Sequence, residues 1–159
     1  MRKNLVSYIL IVVATILGII ACFFLFGAGL KASVDEVSDL YSISYKVAFF
    51  GDDNYIGNFI PFIAYLLIGV LSLVNVINSF IGSKARKIVG IVLSVLILGL
   101  SIFLLFQAQL FVASNANNTF FITQRAGTTW SISGQSIAAA VLGIVGGLAS
   151  GFGFFRLAD

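Results

Sequence analysis

The chain has 159 residues, of which 60% are hydrophobic and 9% charged, with a formal net charge of +3. Soluble domains carry about a quarter charged residues, and a water-soluble fold of this size could not bury so many apolar side chains. The same composition excludes a disordered chain. One Cys and no His exclude a disulfide scaffold and disfavour a zinc or iron–sulfur site. The composition therefore predicts an integral membrane protein without a cofactor.

Charged residues divide the chain into four long uncharged stretches. A bilayer core of about 30 Å needs roughly 20 apolar residues in a helix, and lipid leaves no partner for the backbone groups of an open strand. The sequence thus predicts one all-α membrane domain over residues 1–159, a bundle of four transmembrane helices. The predicted spans are 5–30, 59–81, 88–113 and 136–155, joined by outer loops at 31–57 and 114–135 and an inner loop at 83–87.

The second span carries local start and stop signals. Asn58 can cap the helix, and Pro61 falls in the first turn, where a missing N–H costs little. Gly82 can end it, and the short inner loop then predicts that the second and third spans are antiparallel neighbours.

Basic residues predict the orientation, because Lys and Arg favour the cytoplasmic side. With the N-terminus inside, the inner side holds six of them, namely Arg2, Lys3, Lys84, Arg86, Lys87 and Arg156. Both termini are therefore expected in the cytoplasm. This charge predicts contact with membrane lipids rather than nucleic acid. The small size and the abundance of Ile, Phe and Asn favour a bacterial plasma membrane.

The first span admits a second interpretation. Ile19, Ile20, Ala21 and Cys22 resemble a bacterial lipobox, in which the Cys is lipidated and becomes the new N-terminus. The apolar run continues past Cys22, however, and is longer than a signal-peptide core of roughly 7–15 residues. A retained helix with a packed Cys22 is the favoured alternative, and the processed form stays open.

The outer loops carry strand signals. Residues 33–36 have the form of a capping box and predict a short helix, residues 41–49 alternate as a half-buried strand, and residues 51–54 form a turn. In the second loop, 120–123 and 128–132 predict a hairpin. We therefore expect a small extracytoplasmic sheet of about three strands, with Phe120 and Trp130 at the outer surface.

This layout resembles that of claudins and other tetraspan proteins, although the Trp-Gly-Leu-Trp segment and Cys pair of claudins are absent.

Polar residues inside the spans are concentrated in the second helix. Ser72, Asn75 and Ser79 share one helical face, which either joins helices within the bundle or lines a path in an oligomer. Gln107 and Gln109, near the outer end of the third span, are expected to pair with the outer sheet.

The fourth span carries small residues at every fourth position: Ala139, Gly143, Gly147 and Gly151. This spacing lets two helix backbones approach closely. It predicts either packing within the chain, against the first span, or a docking face for another chain.

The spans carry no Asp, Glu, Lys or Arg, and an enzyme is not expected. The leading hypothesis is a structural or accessory membrane subunit that associates laterally with itself, as a homo-oligomer, or with other membrane-protein subunits. The alternative is a small oligomeric channel or transporter component that uses the polar face of the second helix.

Overall fold

The computed structural model describes residues 2–34, 37–119 and 128–158. Its elements, in chain order, are α1 (Arg2–Phe23), β1 (Leu30–Val34), β2 (Val37–Ile43), α2 (Tyr45–Phe50), α3 (Ile60–Phe80), α4 (Arg86–Phe103), α5 (Gln107–Ser114), β3 (Thr128–Ile132) and α6 (Gly134–Arg156). Two 3₁₀ turns, Phe24–Gly27 and Leu104–Phe106, continue α1 and join α4 to α5.

Four helical segments are long and apolar enough to cross a membrane: Asn4–Gly27, Ile60–Phe80, Arg86–Ser114 and Gly134–Arg156. They confirm the four predicted spans, except that the first span ends before Leu30, which begins β1. Gly29 lies between the end of this span and β1. A Cβ there would overlap the backbone carbonyl of Ile43, so β2 lies directly against the chain as it leaves the helix.

The four spans form a closed ring in which each packs on two others. α1 contacts α3 and α6, and α4 contacts the same two helices. The predicted pairing of the second and third spans is therefore confirmed. The capping position of α3 is Phe59 rather than the predicted Asn58, although Asn58 Oδ1 accepts a hydrogen bond from the Ile60 N–H at 3.1 Å. Pro61 lies in the first turn as expected.

The two termini and the α3–α4 turn meet at one end of the bundle, here called the terminal end. The Asn4 side chain donates to the Ala158 carbonyl at 3.0 Å and accepts from the Ala158 N–H at 2.9 Å. Arg86 Nη1 donates to the Ser79 carbonyl at 3.1 Å and to the Tyr8 hydroxyl at 3.2 Å. These bonds join α1, α3, α4 and the end of α6.

The opposite end carries a cap made of β1, β2, α2 and β3. Its strands form a three-stranded sheet in the order β2-β1-β3, with both pairs antiparallel, so that Ala32 lies between Tyr41 and Trp130. A sheet of three strands and the strand at 128–132 are confirmed, but β1 and most of β2 lie where the sequence predicted the end of the first span and a short helix. The predicted strand at 120–123 lies outside the described residues.

Two predictions for the first outer loop were wrong. Residues 33 and 34 belong to β1 rather than to a helix, and the predicted strand over 41–49 ends at Ile43. Ser44 has an extended backbone conformation and precedes α2. Ala48 and Phe49 are the buried residues of this helix. The Phe49 ring lies 5.7 Å from that of Phe62, so packing on α3 favours the helix.

Aromatic rings join the cap to the bundle. The Trp130 ring lies 5.2 Å from Phe111 and 5.8 Å from Tyr55. The predicted turn at 51–54 is present: Asp52 Oδ1 accepts from the backbone N–H groups of Asn54 and Tyr55 at 2.9 and 2.8 Å. The buried residues of the cap are therefore continuous with the core of the bundle.

Candidate functional site

The polar face of α3 points into the bundle. Ser72, Asn75 and Ser79 are 3%, 1% and 0% exposed. The hydroxyls of Ser72 and Ser79 donate to carbonyls of their own helix, those of Ile68 and Val76, both at 2.6 Å. Asn75 is thus the member of this face whose side chain bonds another helix.

Asn75 reaches α4 through its amide nitrogen. Nδ2 lies 3.1 Å from Ser94 Oγ and 3.4 Å from the Gly90 carbonyl. The Asn75 Oδ1 atom is buried and has no hydrogen-bond partner among the described residues. An amide oxygen can accept two hydrogen bonds, so this atom keeps unused acceptor capacity inside the bundle.

The other two spans complete the arrangement. Ser94 Oγ lies 2.7 Å from Ser150 Oγ on α6. On α1, Thr15 Oγ1 donates to its own helix at 2.9 Å and to the Ser72 carbonyl at 3.3 Å. We call this set, with one or two residues from each span, the polar cluster: Thr15, Ser72, Asn75, Ser94 and Ser150.

A small internal cavity lies beside the polar cluster. Its volume is about 10 Å³, and four members of the cluster line it together with Ala14, Ile97 and Gly146. A cavity of roughly 10–15 Å³ is the smallest that holds one water molecule. The cavity next to the polar cluster is therefore about the size of one water molecule.

Sequence reasoning missed Thr15 and Ser94, which are isolated polar residues in apolar helices. A weak signal exists for Ser94, because Ser94 and Ser101 are seven residues apart and both are buried on α4. Ser150 lies beside Gly151 in a helix rich in small residues and gives no separate signal. The pairing of these residues with α3 follows from the helix arrangement alone.

Glycines let the spans approach at two equivalent places. A Cβ on Gly143 of α6 would lie 2.8 Å from Ser101 Cβ and would overlap its hydroxyl. A Cβ on Gly18 of α1 would lie 2.8 Å from Ser72 Cβ in the same way. Both serines bond the carbonyl four residues earlier in their own helix. In each case, a glycine opposite a serine allows the short distance between the two helices, α6 and α4 in one case and α1 and α3 in the other.

The small residues of α6 are used within the chain. A Cβ on Gly147 would lie 3.2 Å from Leu98 Cβ, and one on Gly151 would lie 3.5 Å from Ser94 Cβ. Ala139 is fully buried. A Cβ on Gly146, which lies one position before Gly147 of the repeat, would be 3.2 Å from the Ala14 carbonyl oxygen of α1. The repeat at Gly143, Gly147 and Gly151 thus packs on α4 rather than on the first span.

The remaining predicted residues lie nearer the cap. Trp130 belongs to β3 as expected, but it is 8% exposed and therefore lies in the cap core rather than at an outer contact surface. Phe120 lies outside the described residues. Gln107 donates to the Tyr65 hydroxyl at 3.0 Å and to the Leu104 carbonyl at 2.9 Å, so it joins α3 and not the outer sheet. Gln109 is exposed.

Cys22 packs on α3. A Cβ on Gly69 would lie 2.9 Å from both Cys22 Cβ and Cys22 Sγ. The side chain therefore occupies the space that Gly69 leaves open.

The chemistry available in the polar cluster is hydrogen bonding. Its groups are hydroxyls and one amide, which do not titrate near neutral pH. Within the described residues, no group of three or more His, Cys, Asp or Glu side chains is placed to hold a metal ion. The arrangement can bind a small polar molecule and hold helices together.

No protein-family model matches the chain, and comparisons with curated proteins and with solved structures likewise found no significant match.

Proposed function

We propose that the chain is a non-enzymatic structural or accessory membrane subunit, which associates laterally with itself or with a larger membrane complex. One observation carries this proposal. Most polar and small side chains of the four spans contact the chain's own helices, while many large apolar side chains face outward. Those outward side chains include Ile16, Val70, Val95 and Leu148, which are 52%, 53%, 60% and 58% exposed.

Because the α6 glycines contact helices of the same chain, substituting them does not test association with a partner. Gly147→Leu would push against Leu98 and Ser94 of the same chain, so it would disturb the bundle before it reached any partner. A large residue at an outward position alters the outer surface and leaves the helix contacts intact. Ile16→Trp, Val70→Trp and Val145→Trp each alter one outward face of the bundle.

The decisive measurement is the native mass of the tagged protein, extracted from its own membrane in a mild detergent. The proposal expects a mass above that of one chain, from further copies or from other membrane proteins. One of the three Trp variants should lower this mass, and the other two serve as matched controls. A mass of one chain in every preparation would overturn the proposal.

A second candidate, a channel or transporter component, is favoured by one feature. Asn75 Oδ1 has no partner among the described residues and belongs to a residue that lines the internal cavity. Because the polar cluster faces the interior of one bundle, a path would run through the single chain rather than between subunits. Asn75→Leu should then abolish solute flux into liposomes without changing the native mass. Equal flux with both proteins would remove this candidate.

We also propose that the terminal end faces the cytoplasm of a bacterial plasma membrane. Lys84, Arg86, Lys87 and Arg156 all belong to this end, which supports the orientation. After Cys22→Ala, a single thiol at Ser83→Cys should resist a membrane-impermeant reagent in intact cells, whereas one at Asp53→Cys should react. The reverse pattern would contradict the orientation.

A further inference from the structure

A groove runs between α4 and α6 on the outer surface of the bundle. Its volume is about 360 Å³, within the range of roughly 300–1,000 Å³ that is usual for small-ligand sites. Ser94 and Gly147 are its buried lining residues. Val95, Leu148, Phe152 and Phe155 are exposed along it.

Two cations lie at the terminal end of this groove. Lys87 Nζ is 5.6 Å from the centre of the Phe155 ring, and Arg156 Cζ is 5.7 Å from the centre of the Phe152 ring. Both rings line the groove. Cation–π contacts of this kind hold a charged group against an apolar surface, so the two charges are kept beside the groove.

The charge balance at this end is strongly positive. Every Asp or Glu within the described residues belongs to β2 or to the 51–54 turn of the cap, at the far end of the molecule. Asp159 is the remaining acidic residue near the terminal end in sequence. Among the described residues, the Asp residues of the cap are therefore too distant to neutralise Lys87 and Arg156. An anionic ligand bound there would complement these two positive charges.

The length of the groove selects one kind of occupant. Between Lys87 and Leu98, α4 rises about 16 Å at 1.5 Å per residue, which is close to half of a hydrocarbon core of about 30 Å. Beyond this point, Gly143 and Ser101 bring α6 and α4 together. A partner helix would cross the whole core, whereas the acyl chain of one leaflet ends near its middle.

We propose that this groove binds an anionic phospholipid. One acyl chain lies against Val95, Leu98 and Gly147, and the phosphate contacts Lys87 and Arg156. Basic pockets between transmembrane helices bind acidic head groups in this manner. The site is independent of the lateral association proposed above, because one lipid can occupy it on a single chain.

The test measures lipid retained by the purified full chain. The protein is exchanged into mild detergent with equal amounts of phosphatidylglycerol and phosphatidylcholine, and bound lipid is counted by native mass spectrometry. We expect preferential retention of phosphatidylglycerol. In the double variant Lys87→Gln/Arg156→Gln, the preference for phosphatidylglycerol should fall roughly fivefold for each cation removed. Lys46 is an exposed cation of the cap, and Lys46→Gln should keep the preference. Equal retention of the two lipids, or an unchanged preference in the double variant, would overturn the proposal.

Two further variants locate the lipid. Val95→Trp should fill the groove and abolish retention of both lipids, while Val70→Trp, equally outward on α3, should not. A photocrosslinking residue at Leu148 should form an adduct with lipid in native membranes. Unchanged lipid retention in Val95→Trp, or an adduct with a polypeptide at Leu148, would refute the groove as the lipid site.

Discussion

Asn75 and Ser94 join α3 to α4 through a hydrogen bond of 3.1 Å from Nδ2 to Oγ. Ser94 extends the connection to α6, because its hydroxyl lies 2.7 Å from that of Ser150. In lipid, helix association gains little from the hydrophobic effect and depends on packing and on such bonds. Ser94 is therefore one residue through which three spans are hydrogen-bonded.

Replacing Ser94 should destabilise the bundle more than replacing another buried serine of α4. Interhelical hydrogen bonds in membranes contribute about 0.6 kcal/mol on average and at most about 1.7 kcal/mol, so Ser94→Ala, which removes two, should cost about 1–2 kcal/mol. Ser101→Ala is the control, because Ser101 Oγ bonds only the Ile97 carbonyl of its own helix. The measurement is unfolding in mixed micelles, and equal losses in the two variants would contradict the interhelical role of Ser94.

A methyl group on Gly143 should separate α6 from α4. Gly143→Ala places a Cβ 2.8 Å from Ser101 Cβ and into its hydroxyl, and overpacking of this kind costs about 1–3 kcal/mol. Ser101→Gly should restore the lost stability, so a double-mutant cycle measured by thermal unfolding isolates the contact. Gly99→Ala is the matched control, since a Cβ there meets no atom within 4 Å. Failure of Ser101→Gly to restore stability would show that the cost arises elsewhere.

The spans were predictable because a bilayer imposes a length and excludes charge over that length. The path of the chain between α1 and α2 was not, because it depends on contacts distant in sequence. The alternation from Tyr41 onward fits a strand, yet Phe49 packs on Phe62 of α3 and the chain turns into a helix after Ser44. Packing on a distant element thus overrode the local pattern.

The polar cluster, too, could be predicted from the sequence only in part. Helical spacing alone groups Ser72, Asn75 and Ser79, because residues three and seven apart share a face. No spacing links Asn75 to Ser94, since a single serine in an apolar helix has no period. The α6 glycines show the same limit: the repeat predicts close packing, but only the ring of helices assigns Gly143 to α4 and Gly146 to α1.

The cap should open locally when its aromatic core is removed. Trp130 packs on Phe111 and Tyr55, and truncation of a buried Trp costs about 3–5 kcal/mol. Trp130→Ala should therefore speed hydrogen exchange of the backbone amides in β1 and β3, while amides in the middle of α3 exchange as before. Phe50→Ala removes an aromatic ring that is 62% exposed and is the control. Unchanged exchange in β3 would show that Trp130 does not hold the sheet on the bundle.

The turn before α3 should depend on a glycine at position 51. Gly51 has a φ of 79° and a ψ of 176°, a backbone conformation that is essentially restricted to glycine and costs other residues roughly 1–3 kcal/mol. A Cβ there would also lie 2.7 Å from the Tyr55 carbonyl oxygen and 2.8 Å from the Gly57 nitrogen. Gly51→Ala should thus disrupt the turn in which Asp52 accepts two backbone N–H groups, and expose residues 51–57 to limited proteolysis. Gly134→Ala, where a Cβ meets no atom within 4 Å, should leave the digestion pattern unchanged. Resistance of the Gly51→Ala protein equal to that of the unaltered chain would mean that the turn tolerates a side chain, and that neither the φ nor the close backbone contacts constrain this position.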